Sequence, residues 1–446
     1  VNTATQSPTH TYFVSVLPTA NTIDIRAMEN SSLETVWDSL YLPPNLHWIE
    51  IISFIVDPGA VTDKLYLMGS AFNADINKDV VVVKRIDFNR TTGSYAEYEE
   101  IAFTFMSKNT YPTDMKISAG HNLYIWGHYD KNIAGTTHDL FLTKVAPTGD
   151  IVFSKTYASY NGQDDIATEL VFDSAGNLFG LSQSTDNVAP FSQHIAAFRI
   201  NPNNGKRLWI KRIGTGSDGS ELAYCAAGSS LGNGLAFGGN VPDGTGGRNA
   251  KIWRLDAGGN TIWNKTVSFG PLGTLEACRG IGFSPFNGDV YFTGVTGPHY
   301  FIARMSADVN VYNWSPQTVD ITGDANNGPM QVSFNFENIF VIGGTADQGG
   351  ISDGVIVHFS EIEARTTPAL SEELHIYPNP TQQMIHVPTD GTEGQIFVYD
   401  ATGRCVRTVS IVSVNTQIDL QDLLPGTYFI SIYQNGNMQH SSCVKM

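Results

Sequence analysis

The side chains best placed for chemistry in this sequence are four acidic residues. Each lies on or beside a short strand-like stretch that precedes a recurring apolar segment ending at glycine. These residues are Asp114, Glu169, Glu221 and Glu276. Grouped carboxylates could bind a cation or sugar hydroxyls, and a pair at a suitable separation could hydrolyse a glycosidic bond. The alternative is that they are hydrated, or paired with the nearby Lys116 and Arg279.

Three familiar motif patterns occur, and their surroundings argue against each of them. Residues 214–219 fit G-x-G-x-x-G, and residues 228–232 fit G-x-S-x-G. Both stretches join two strands, whereas phosphate binding and a nucleophile elbow each need a helix to follow. Asp75, Asn77 and Asp79 alternate as calcium ligands do, but the glycine and the distal glutamate of such a loop are missing. We therefore predict no catalytic residue, no metal site and no cofactor.

Four cysteines complete the set of reactive side chains. They lack C-x-x-C spacing, and their even number allows two disulfides in an oxidising compartment. Cys225 and Cys278 occupy similar places in consecutive repeats, and Cys405 and Cys443 both fall in strand-like segments near the C-terminus. Pairing within each of these two regions is the most economical of the three arrangements. Buried free thiols are the alternative.

Composition limits the classes of function that fit this chain. It has 446 residues, of which 41% are hydrophobic, and a formal net charge of −17. Such a charge, with no Lys/Arg stripe to offset it, argues against binding nucleic acid or an anionic membrane surface. No apolar run reaches about 18 residues, so no transmembrane helix is predicted. Because the chain starts at Val1 rather than Met, we expect that a signal peptide has been removed.

One short segment recurs along most of the chain and predicts a repeated β structure. Its copies are apolar, usually end at glycine, and begin roughly 55 residues apart. They are KLYLMGS from Lys64, NLYIWGH from Asn122, NLFGLSQ from Asn177, GLAFGGN from Gly234, DVYFTGV from Asp289 and NIFVIGG from Asn338. A strand with Arg or Lys near its end follows each copy. A strand that often carries Trp comes next, after a turn that contains Gly or Asn.

Each repeat therefore holds four short strands, since a further strand precedes the next copy. Four-stranded units of this length are typical of propeller blades. Segments from Tyr12, Thr22 and Leu33 supply another set, which brings the number of units to seven. We predict an all-β fold in which residues 1–363 form a seven-bladed β-propeller. A six-bladed propeller, in which the first strands complete the last blade, is the alternative.

The composition changes after the last repeat. Residues 364–373 are polar, match no blade pattern and are interpreted as a linker. Residues 374–446 are predicted to form a separate domain, a small Ig-like β-sandwich of alternating strands. Near its start, the stretch YPNP at residues 377–380 fixes two φ angles and removes two N–H donors, so strand pairing must stop there.

Four motifs occur in order along this last segment. They are YPNP at 377–380, VYDATGR at 398–404, IDLQDLLPGTYFISI at 418–432 and the terminal VKM. Together they resemble the type A C-terminal sorting domain of the type IX secretion system of Bacteroidota. The residues that match the pattern are Tyr377, Pro378, Asn379, Pro380, Asp400, Gly403, Arg404, Leu424, Pro425, Gly426 and Lys445. Cys405 and Cys443 depart from it, since the pattern requires no cysteine.

The resemblance implies a route and a set of partners. The chain would enter the periplasm with a signal peptide and cross the outer membrane through the type IX translocon, assisted by shuttle and sortase components. It would then be secreted or remain at the cell surface. Because the repeats are regular and no catalytic constellation stands out, we predict that the propeller is a binding module for a glycan, polymer or protein ligand rather than an enzyme. The alternative is a secreted polysaccharide-active hydrolase or lyase with its site on one propeller face.

Overall fold

The structure is a computed structural model that describes most of the chain from Thr3 onwards. The described residues are 3–6, 10–17, 22–29, 35–41, 46–59, 61–98, 101–131, 137–159, 164–185, 193–214, 220–268, 273–285, 288–297, 299–308, 312–319, 324–335, 338–347, 352–360, 376–389, 391, 394–400, 405–411, 413–434 and 437–446. All regular secondary structure in them is β-strand. Over these residues, no helix is long and apolar enough to cross a membrane.

The chain folds into two compact units. The first comprises residues 1–332 and 341–357, and the second comprises residues 333–340 and 358–446. The linker expected at residues 364–373 lies outside the described residues. The domain boundaries given by the sequence therefore stay a prediction.

Seven antiparallel sheets follow one another along the chain before the sorting-like tail, counted over the described residues. In each of them, strands that are neighbours in sequence are neighbours in the sheet. The first three sheets are β1 (Thr3–Gln6), β2 (His10–Leu17), β3 (Thr22–Glu29) and β4 (Thr35–Tyr41); β5 (Leu46–Asp57), β6 (Thr62–Asn73), β7 (Lys78–Asn89), β8 (Tyr95–Glu97) and β9 (Ile101–Phe103); and β10 (Thr110–Ile117), β11 (Leu123–Asp130), β12 (His138–Val145) and β13 (Ile151–Tyr157).

The next four sheets repeat this order, and the last of them has three described strands. They are β14 (Asp164–Phe172), β15 (Leu178–Thr185), β16 (Gln193–Ile200) and β17 (Arg207–Ile213); β18 (Leu222–Gly228), β19 (Gly234–Pro242), β20 (Arg248–Asp256) and β21 (Thr261–Val267); β22 (Glu276–Phe283), β23 (Val290–Thr296), β24 (His299–Met305) and β25 (Tyr312–Val319); and β26 (Asp324–Asn335), β27 (Asn338–Asp347) and β28 (Ser352–Ser360). The all-β, four-stranded character expected from the sequence is confirmed.

In the second to sixth sheets, whose side chains are described, the second and third strands are largely buried on both faces. β11 and β19 are buried at nearly every residue, and the hydrophobic clusters around them contain residues of two consecutive sheets. By contrast, the fourth strand β13 exposes Ile151 and Val152. A strand covered on both faces needs a continuous apolar run rather than an alternating one, which is why the recurring segments read LYIW and GLAF.

The cation and the tryptophan of a repeat pair across the third and fourth strands. Arg199 lies directly opposite Trp209. The indole N–H of Trp209 donates to the Ala257 carbonyl at 2.9 Å, and that of Trp263 donates to the Ala307 carbonyl at 3.1 Å. Both accepting carbonyls lie in the turn between the third and fourth strands of the following sheet. These tryptophans therefore fill the space between sheets and also satisfy their N–H groups there.

Cations of three third strands make the same connection to the following sheet. Each donates to a backbone carbonyl in the turn after the third strand of the neighbouring sheet. The pairs are Arg85 with Pro147 at 3.3 Å, Lys144 with Pro202 at 3.3 Å and Arg199 with Ala257 at 3.0 Å. Arg254, at the same place in β20, instead donates to carbonyls of its own sheet. Arg or Lys near the end of this strand therefore connects sheets in three of the described repeats.

The first strands of consecutive sheets contact one another. β1 lies against β5, β5 against β10, β10 against β14, β14 against β18 and β18 against β22. The fourth strands, by comparison, form the partly exposed outer edges. The sheets therefore converge along their first strands, and residues on those strands from several sheets come close together.

The tail contains two further sheets around one hydrophobic cluster. One pairs β29 (Met384–Pro388) with β32 (Asn415–Asp419), and the other has the order β31 (Cys405–Ser410), β30 (Gly394–Tyr399), β33 (Gly426–Gln434) and β34 (Asn437–Lys445). Ile385 and Ile418 from the first sheet share this cluster with Ile396 and Ile430 from the second. The tail has its own core, as an independently folding segment needs.

The connection made by Trp263 generates a prediction about stability. Trp263 is 4% exposed, so Trp263→Ala should lower the free energy of unfolding by about 3–5 kcal/mol through the cavity it leaves. Trp263→Phe keeps most of the apolar contact but removes the N–H donor, and should cost about 1 kcal/mol. Urea unfolding of the full chain measures both values. Leu208→Ala, at a side chain that is 49% exposed, is the control and should stay within about 0.5 kcal/mol; equal losses in all three variants would contradict the prediction.

Candidate functional site

The first strands of the second to sixth sheets are bulged at the same step. The pairing with the second strand skips one residue there, and the skipped side chain is half-buried. These residues, called here the bulge row, are Ile52, Thr113, Thr168, Tyr224 and Arg279. Bulges redirect side chains and are frequent beside active sites. The bulge row is therefore a candidate ligand-contacting line across five sheets.

The glycine of the recurring segment belongs to this bulge. Gly127 and Gly294 lie opposite the residue that precedes the skipped one. A Cβ at Gly127 would lie 2.3 Å from the Tyr111 carbonyl oxygen, and one at Gly294 would lie 1.9 Å from the Ala277 carbonyl oxygen. Because the obstacle is backbone, no side-chain movement could relieve it. Glycine is required here for close approach of the bulged strand.

Asp114 and Glu169 each follow a bulge, and the structure brings them together. Asp114 Oδ1 accepts hydrogen bonds from Lys116 Nζ at 2.8 Å and from the Met115 N–H at 2.7 Å. Asp114 Oδ2 accepts one from the Leu170 N–H at 2.9 Å. The Glu169 carboxyl lies near the Asp114 carboxylate, whose charge acts on it. Since Leu170 and Glu169 lie on β14, the Asp114 carboxylate joins the first strands of two sheets.

Glu169 keeps its proton to a higher pH than an ordinary glutamate. Burial raises the pKa of Glu169 well above its usual value, and the Asp114 carboxylate raises it further, against the opposing effect of Lys116. Burial lowers the pKa of Lys116, but the Asp114 and Glu169 carboxyls raise it more, so its pKa is raised overall. The cluster thus holds the Asp114–Lys116 ion pair beside a carboxyl group with a raised pKa.

Two members of the bulge row stack on each other. The guanidinium carbon of Arg279 lies 3.9 Å from the centroid of the Tyr224 ring. Tyr224 is on β18 and Arg279 on β22, so the stack joins the fifth and sixth sheets. A guanidinium on an aromatic face offers a flat surface with hydrogen-bond donors at its rim.

Glu221 and Glu276 lie three residues before the bulges of their sheets, apart from the other two predicted carboxylates. Glu276 is buried and accepts a hydrogen bond at 2.9 Å from the hydroxyl of Thr296, the residue opposite it in the sheet. Glu221 Oε1 lies 3.8 Å from Lys251 Nζ. Glu221 and Glu276 thus occupy a different register position from Asp114 and Glu169, and contact of any of the four with a ligand stays a prediction.

The cysteines are thiols in the described part of the structure. Cys225 and Cys278 are buried with their Sγ atoms 3.9 Å apart, whereas a disulfide needs about 2.05 Å. Burial raises the pKa of Cys225 well above its usual value, and the neighbouring Cys278 adds to this. Cys443 is a buried thiol whose pKa burial raises to about 11. The side chain of Cys405 lies outside the described residues, so its pairing with Cys443 is not visible. Both disulfides stay predictions.

A polar network that the sequence analysis missed spans three sheets at one edge. His138 Nδ1 lies 2.8 Å from Asp164 Oδ1, and His138 Nε2 lies 3.5 Å from Asp130 Oδ1. Asn109 Nδ2 donates to Asp130 Oδ2 at 2.8 Å, and Asn109 Oδ1 accepts from the Asp79 N–H at 3.1 Å. Because Asp79 lies near the start of β7 and Asp164 at the start of β14, the network connects the second, third and fourth sheets.

His138 and the neighbouring His128, whose ring centroids lie 5.2 Å apart, have opposite pKa shifts. Burial and the neighbouring His138 lower the pKa of His128 to about 4. The hydrogen bond to Asp164 raises the pKa of His138 against the effect of burial, and the Asp164 and Asp130 carboxylates add to the rise. Burial would raise the pKa of Asp164, but hydrogen bonds from His138 lower it overall. The network therefore places an imidazole with a lowered pKa beside one whose protonated form the Asp164 carboxylate stabilises.

The sequence carried one signal for this network. His128 and Asp130 occupy alternate positions at the end of β11, and His138 begins the strand that pairs with it. An antiparallel hairpin places such residues together, so this half of the network could have been predicted. Asp164 could not, because it belongs to the next sheet and reaches His138 only through the packing of two sheets.

The YPNP segment covers the edge of the terminal strand β34. Asn379 Nδ2 donates to the Ser442 carbonyl at 2.8 Å, and Asn379 Oδ1 accepts from the Val444 N–H at 2.9 Å. The Thr381 N–H donates to the Val444 carbonyl and the Met446 N–H donates to the Thr381 carbonyl, both at 2.8 Å. Since the flanking prolines have no N–H, the Asn379 carboxamide takes the place of a backbone pair and protects an exposed edge.

The other motif residues are turn and surface positions, with Lys445 as the exception. Lys445 is buried, and its Nζ donates to the Gln421 carbonyl at 3.1 Å and to the Leu423 carbonyl. Tyr377 pairs with His386 and stacks on its ring at 5.3 Å. Leu424, Pro425 and Gly426 are exposed in the turn before or at the start of β33, and Asp400 follows β30. Gly403 and Arg404 lie outside the described residues.

A family model matches this tail. The model for the secretion system C-terminal sorting domain matches residues 375–445. The tail is a type IX sorting domain. The protein is accordingly secreted or located at the cell surface. The tail region is also similar to β-agarase A of Zobellia galactanivorans, with 37% identity over 59 residues. That match covers 13% of this chain and 11% of the enzyme, so this chain spans only a small part of it.

Solved structures resemble the whole chain only loosely. A GH93 α-L-arabinofuranosidase of Fusarium graminearum has a TM-score of 0.44 at 8% identity, over 79% of this chain and 89% of that one. A putative 6-phosphogluconolactonase from Bacteroides uniformis has a TM-score of 0.45 at 14% identity, over 79% of this chain and 97% of that one. These scores are too low to carry an inference about activity or substrate.

The protonated state of Glu169 generates a prediction about pH. Above pH 4.5 the unfolded chain loses a proton that folded Glu169 keeps, so stability falls as pH rises from there towards the folded pKa. Glu169→Gln removes this decrease in the free energy of unfolding, which is about 1.4 kcal/mol for each pH unit between the unfolded and the folded pKa. The variant should therefore be more stable than the wild type at pH 7 and equal to it at pH 4. Urea unfolding at both pH values tests this, with Glu50→Gln as an exposed control; a gain of the same size at pH 4 would contradict it.

The low pKa of His128 predicts the opposite dependence. As pH falls from 6.5 to 4, the unfolded histidine takes up a proton that the folded one does not, so stability decreases by about 3 kcal/mol at pH 4. His128→Phe keeps a ring beside Tyr111 and His138 and removes the titrating group. Its unfolding free energy should lose this part of the acid dependence, whereas exposed His47→Phe should keep it. Parallel pH profiles for His128→Phe and the wild type would count against the assignment.

Proposed function

We propose that this protein is an exported binding module of the type IX secretion system. In this proposal the seven sheets close into a seven-bladed propeller, the tail forms an Ig-like sandwich, and the bulge row contacts a glycan, polymer or protein ligand. The observation that carries the proposal is the bulge row itself. Five consecutive first strands present a half-buried side chain at the same step of the repeat.

The way in which the sheets meet supports a closed propeller. Each first strand lies against the first strand of the next sheet from β1 to β22, and the third and fourth strands are tied to the following turn by side chains. When each sheet converges on a common axis along its first strand and is joined to the next sheet in the same direction, the sheets form a ring around that axis. The bulge row would then line the centre of the ring, where propellers commonly bind ligands.

Binding is favoured over glycoside hydrolysis by the hydrogen bonds that hold the Asp114 carboxylate. Both of its oxygens accept hydrogen bonds from within the protein, from Lys116 Nζ and from two backbone N–H groups. A catalytic carboxylate must instead direct an oxygen at the sugar or at the attacking water. A carboxylate held in this way suits a fixed structural and binding role.

A second candidate function, a polysaccharide-active hydrolase or lyase, is favoured by the polar network. His138 is half-buried and is oriented by Asp164 at 2.8 Å. A carboxylate that orients an imidazole is the arrangement used for general acid–base catalysis. The Tyr111 ring lies 6.0 Å from the His138 ring and could supply a second proton-transferring group. This site involves residues at the start of β12 and β14 and, through Tyr111, lies two residues from the bulge of β10.

A glycan and polysaccharide array with the full chain distinguishes the two functions when it is read for binding and for depolymerisation. Binding without released product is the expected result. Tyr224→Ala should weaken binding at least about tenfold, because truncating an aromatic contact residue costs about 2 kcal/mol. Tyr98→Ala, at an exposed tyrosine outside the bulge row, should bind as the wild type does.

Two results would change the assignment. If Tyr224→Ala binds as tightly as the wild type, the bulge row is not the binding surface. If the wild type releases product and His138→Gln does not, the protein is an enzyme with the polar network as its site.

A further inference from the structure

A group of cations lies where the fourth sheet meets the outer strand of the third. Residues 201–207, which connect β16 to β17 and begin β17, read NPNNGKR. Lys206 and Arg207 are exposed there. The Arg207 guanidinium donates to the Ala158 carbonyl at 3.1 Å, directly after the end of β13. This segment therefore lies against the third sheet.

Two cations of the third sheet reach the same segment. Lys155, on β13, is exposed, and its Cγ atom lies 2.8 Å from where a Cβ of Gly205 would stand. Its stem thus packs along the turn, which Tyr157 holds by donating from its hydroxyl to the Gly205 carbonyl at 2.6 Å. The buried Lys144 donates to the Pro202 carbonyl at 3.3 Å. Positive charges from two sheets are therefore gathered around one turn.

No carboxylate offsets these charges within the two described segments that carry the exposed cations. Residues 151–159 and 201–214 contain no Asp or Glu, although the chain has 43 acidic residues against 26 basic ones. Within the described part of the chain, the ammonium groups of Lys155 and Lys206 form no ion pair and no hydrogen bond. Their charges therefore face solvent. The exposed cations are called here the basic surface: Lys155, Lys206 and Arg207.

We propose that the basic surface binds a polysaccharide that carries sulfate or carboxylate groups. Exposed cations without neighbouring carboxylates attract anions, and these cations lie on an open outer edge of the sheets. An open edge suits a chain with many anionic groups better than a single small ion. The protein is secreted or located at the cell surface, which favours a polysaccharide over nucleic acid as the polyanion. The inference is independent of the bulge row and of any ligand bound there.

The way in which the basic surface is assembled explains why the sequence shows no Lys/Arg stripe. Its members belong to different sheets, and only the packing of the third sheet against the fourth brings Lys155 beside Lys206 and Arg207. The sequence pattern argued against polyanions on the basis of single segments, whereas the fold combines two of them.

The net charge of −17 is compatible with this contact. At physiological ionic strength, interactions between exposed charges are screened beyond about 8 Å. An anionic group at the basic surface therefore responds to the nearby cations more than to carboxylates elsewhere. The acidic remainder of the protein repels the same polymer, which confines binding to this place. Because binding releases counterions from the polymer, affinity should decrease as the salt concentration rises.

Binding of the full chain to dextran sulfate and to polygalacturonate tests the proposal, with neutral dextran as the uncharged reference. We expect binding to at least one charged polymer, weakened by salt, and none to dextran. The charged polymer that binds more tightly identifies the preferred anionic group. Absence of binding to both charged polymers would overturn the proposal.

Variants of the basic surface test whether its charge is responsible. A triple variant with Lys155→Gln, Lys206→Gln and Arg207→Gln should bind at least about tenfold more weakly and with a smaller salt dependence. The variant with Lys155→Arg, Lys206→Arg and Arg207→Lys keeps the three charges and should bind as the wild type does. Unaltered binding by the triple glutamine variant would reject the basic surface.

A second triple variant separates local charge from net charge. Lys64→Gln, Lys78→Gln and Lys131→Gln remove three positive charges from β6, from β7 and from the residue after β11, and binding should be unchanged. Equal weakening in both triple variants would show that net charge alone matters and would contradict the proposal. Tighter binding to single-stranded DNA than to either charged polysaccharide would reject a polysaccharide as the partner.

Two further comparisons keep the result apart from folding and from the bulge row. The double variant Lys155→Gln and Lys206→Gln removes no internal hydrogen bond of a described side chain, so it should unfold at the wild-type urea concentration and still bind several-fold more weakly. Loss of charged-polymer binding in this variant, but not in Tyr224→Ala, assigns the binding to the basic surface. The reverse pattern would assign it to the bulge row and reject the inference, while leaving the proposed function intact.

Discussion

The arrangement of the sheets depends on donors in one sheet that reach a turn carbonyl in the next. Arg85, Lys144 and Arg199 make this contact from the third strand, and two tryptophans make it from the fourth. Each hydrogen bond of this kind contributes about 1 kcal/mol, and it holds the turn where its donor lies. Because the donor has a fixed register in its own sheet, this contact also fixes how far consecutive sheets are shifted along one another.

That shared register gives the bulges their functional meaning. If the sheets were offset differently, the skipped residues would lie at different depths and could not form a row. With the offset fixed, Thr168 of one sheet follows Thr113 of the preceding one, and Arg279 can stack on Tyr224. The same alignment brings Asp114 to the Leu170 N–H and to Glu169. Stability of the sheets and geometry of the candidate site thus come from one repeated contact.

Local chemistry decided what could be predicted from the sequence. The glycine, the cation and the tryptophan of each repeat make their contacts inside the repeat or with the next one. Their regular spacing along the sequence therefore predicted the strand order and the all-β class. Glu221 was grouped with Asp114 because both lie near a first strand, yet Glu221 lies three residues before the bulge of its sheet and Asp114 directly after the bulge of its own. His138 and Asp164 belong to different sheets, and only the packing of those sheets brings them together. The tail was predicted from its motifs, whereas the hydrogen bonds between its first and last motifs are visible only in the structure.

Asn379 lies beside β34 in the place of a neighbouring strand residue. Its carboxamide makes the two hydrogen bonds to β34 that a backbone peptide group would make there. Asparagine ages chiefly by cyclisation, in which the backbone N–H of the following residue attacks the side-chain carbonyl and ammonia is lost. The residue after Asn379 is Pro380, which has no N–H. The product of such ageing, an aspartate, would direct a carboxylate oxygen at the Ser442 carbonyl in place of the present N–H donor. The second proline of the motif therefore also gives chemical durability to a side chain that must remain an amide outside the cell, where the chain cannot be replaced by new synthesis on site.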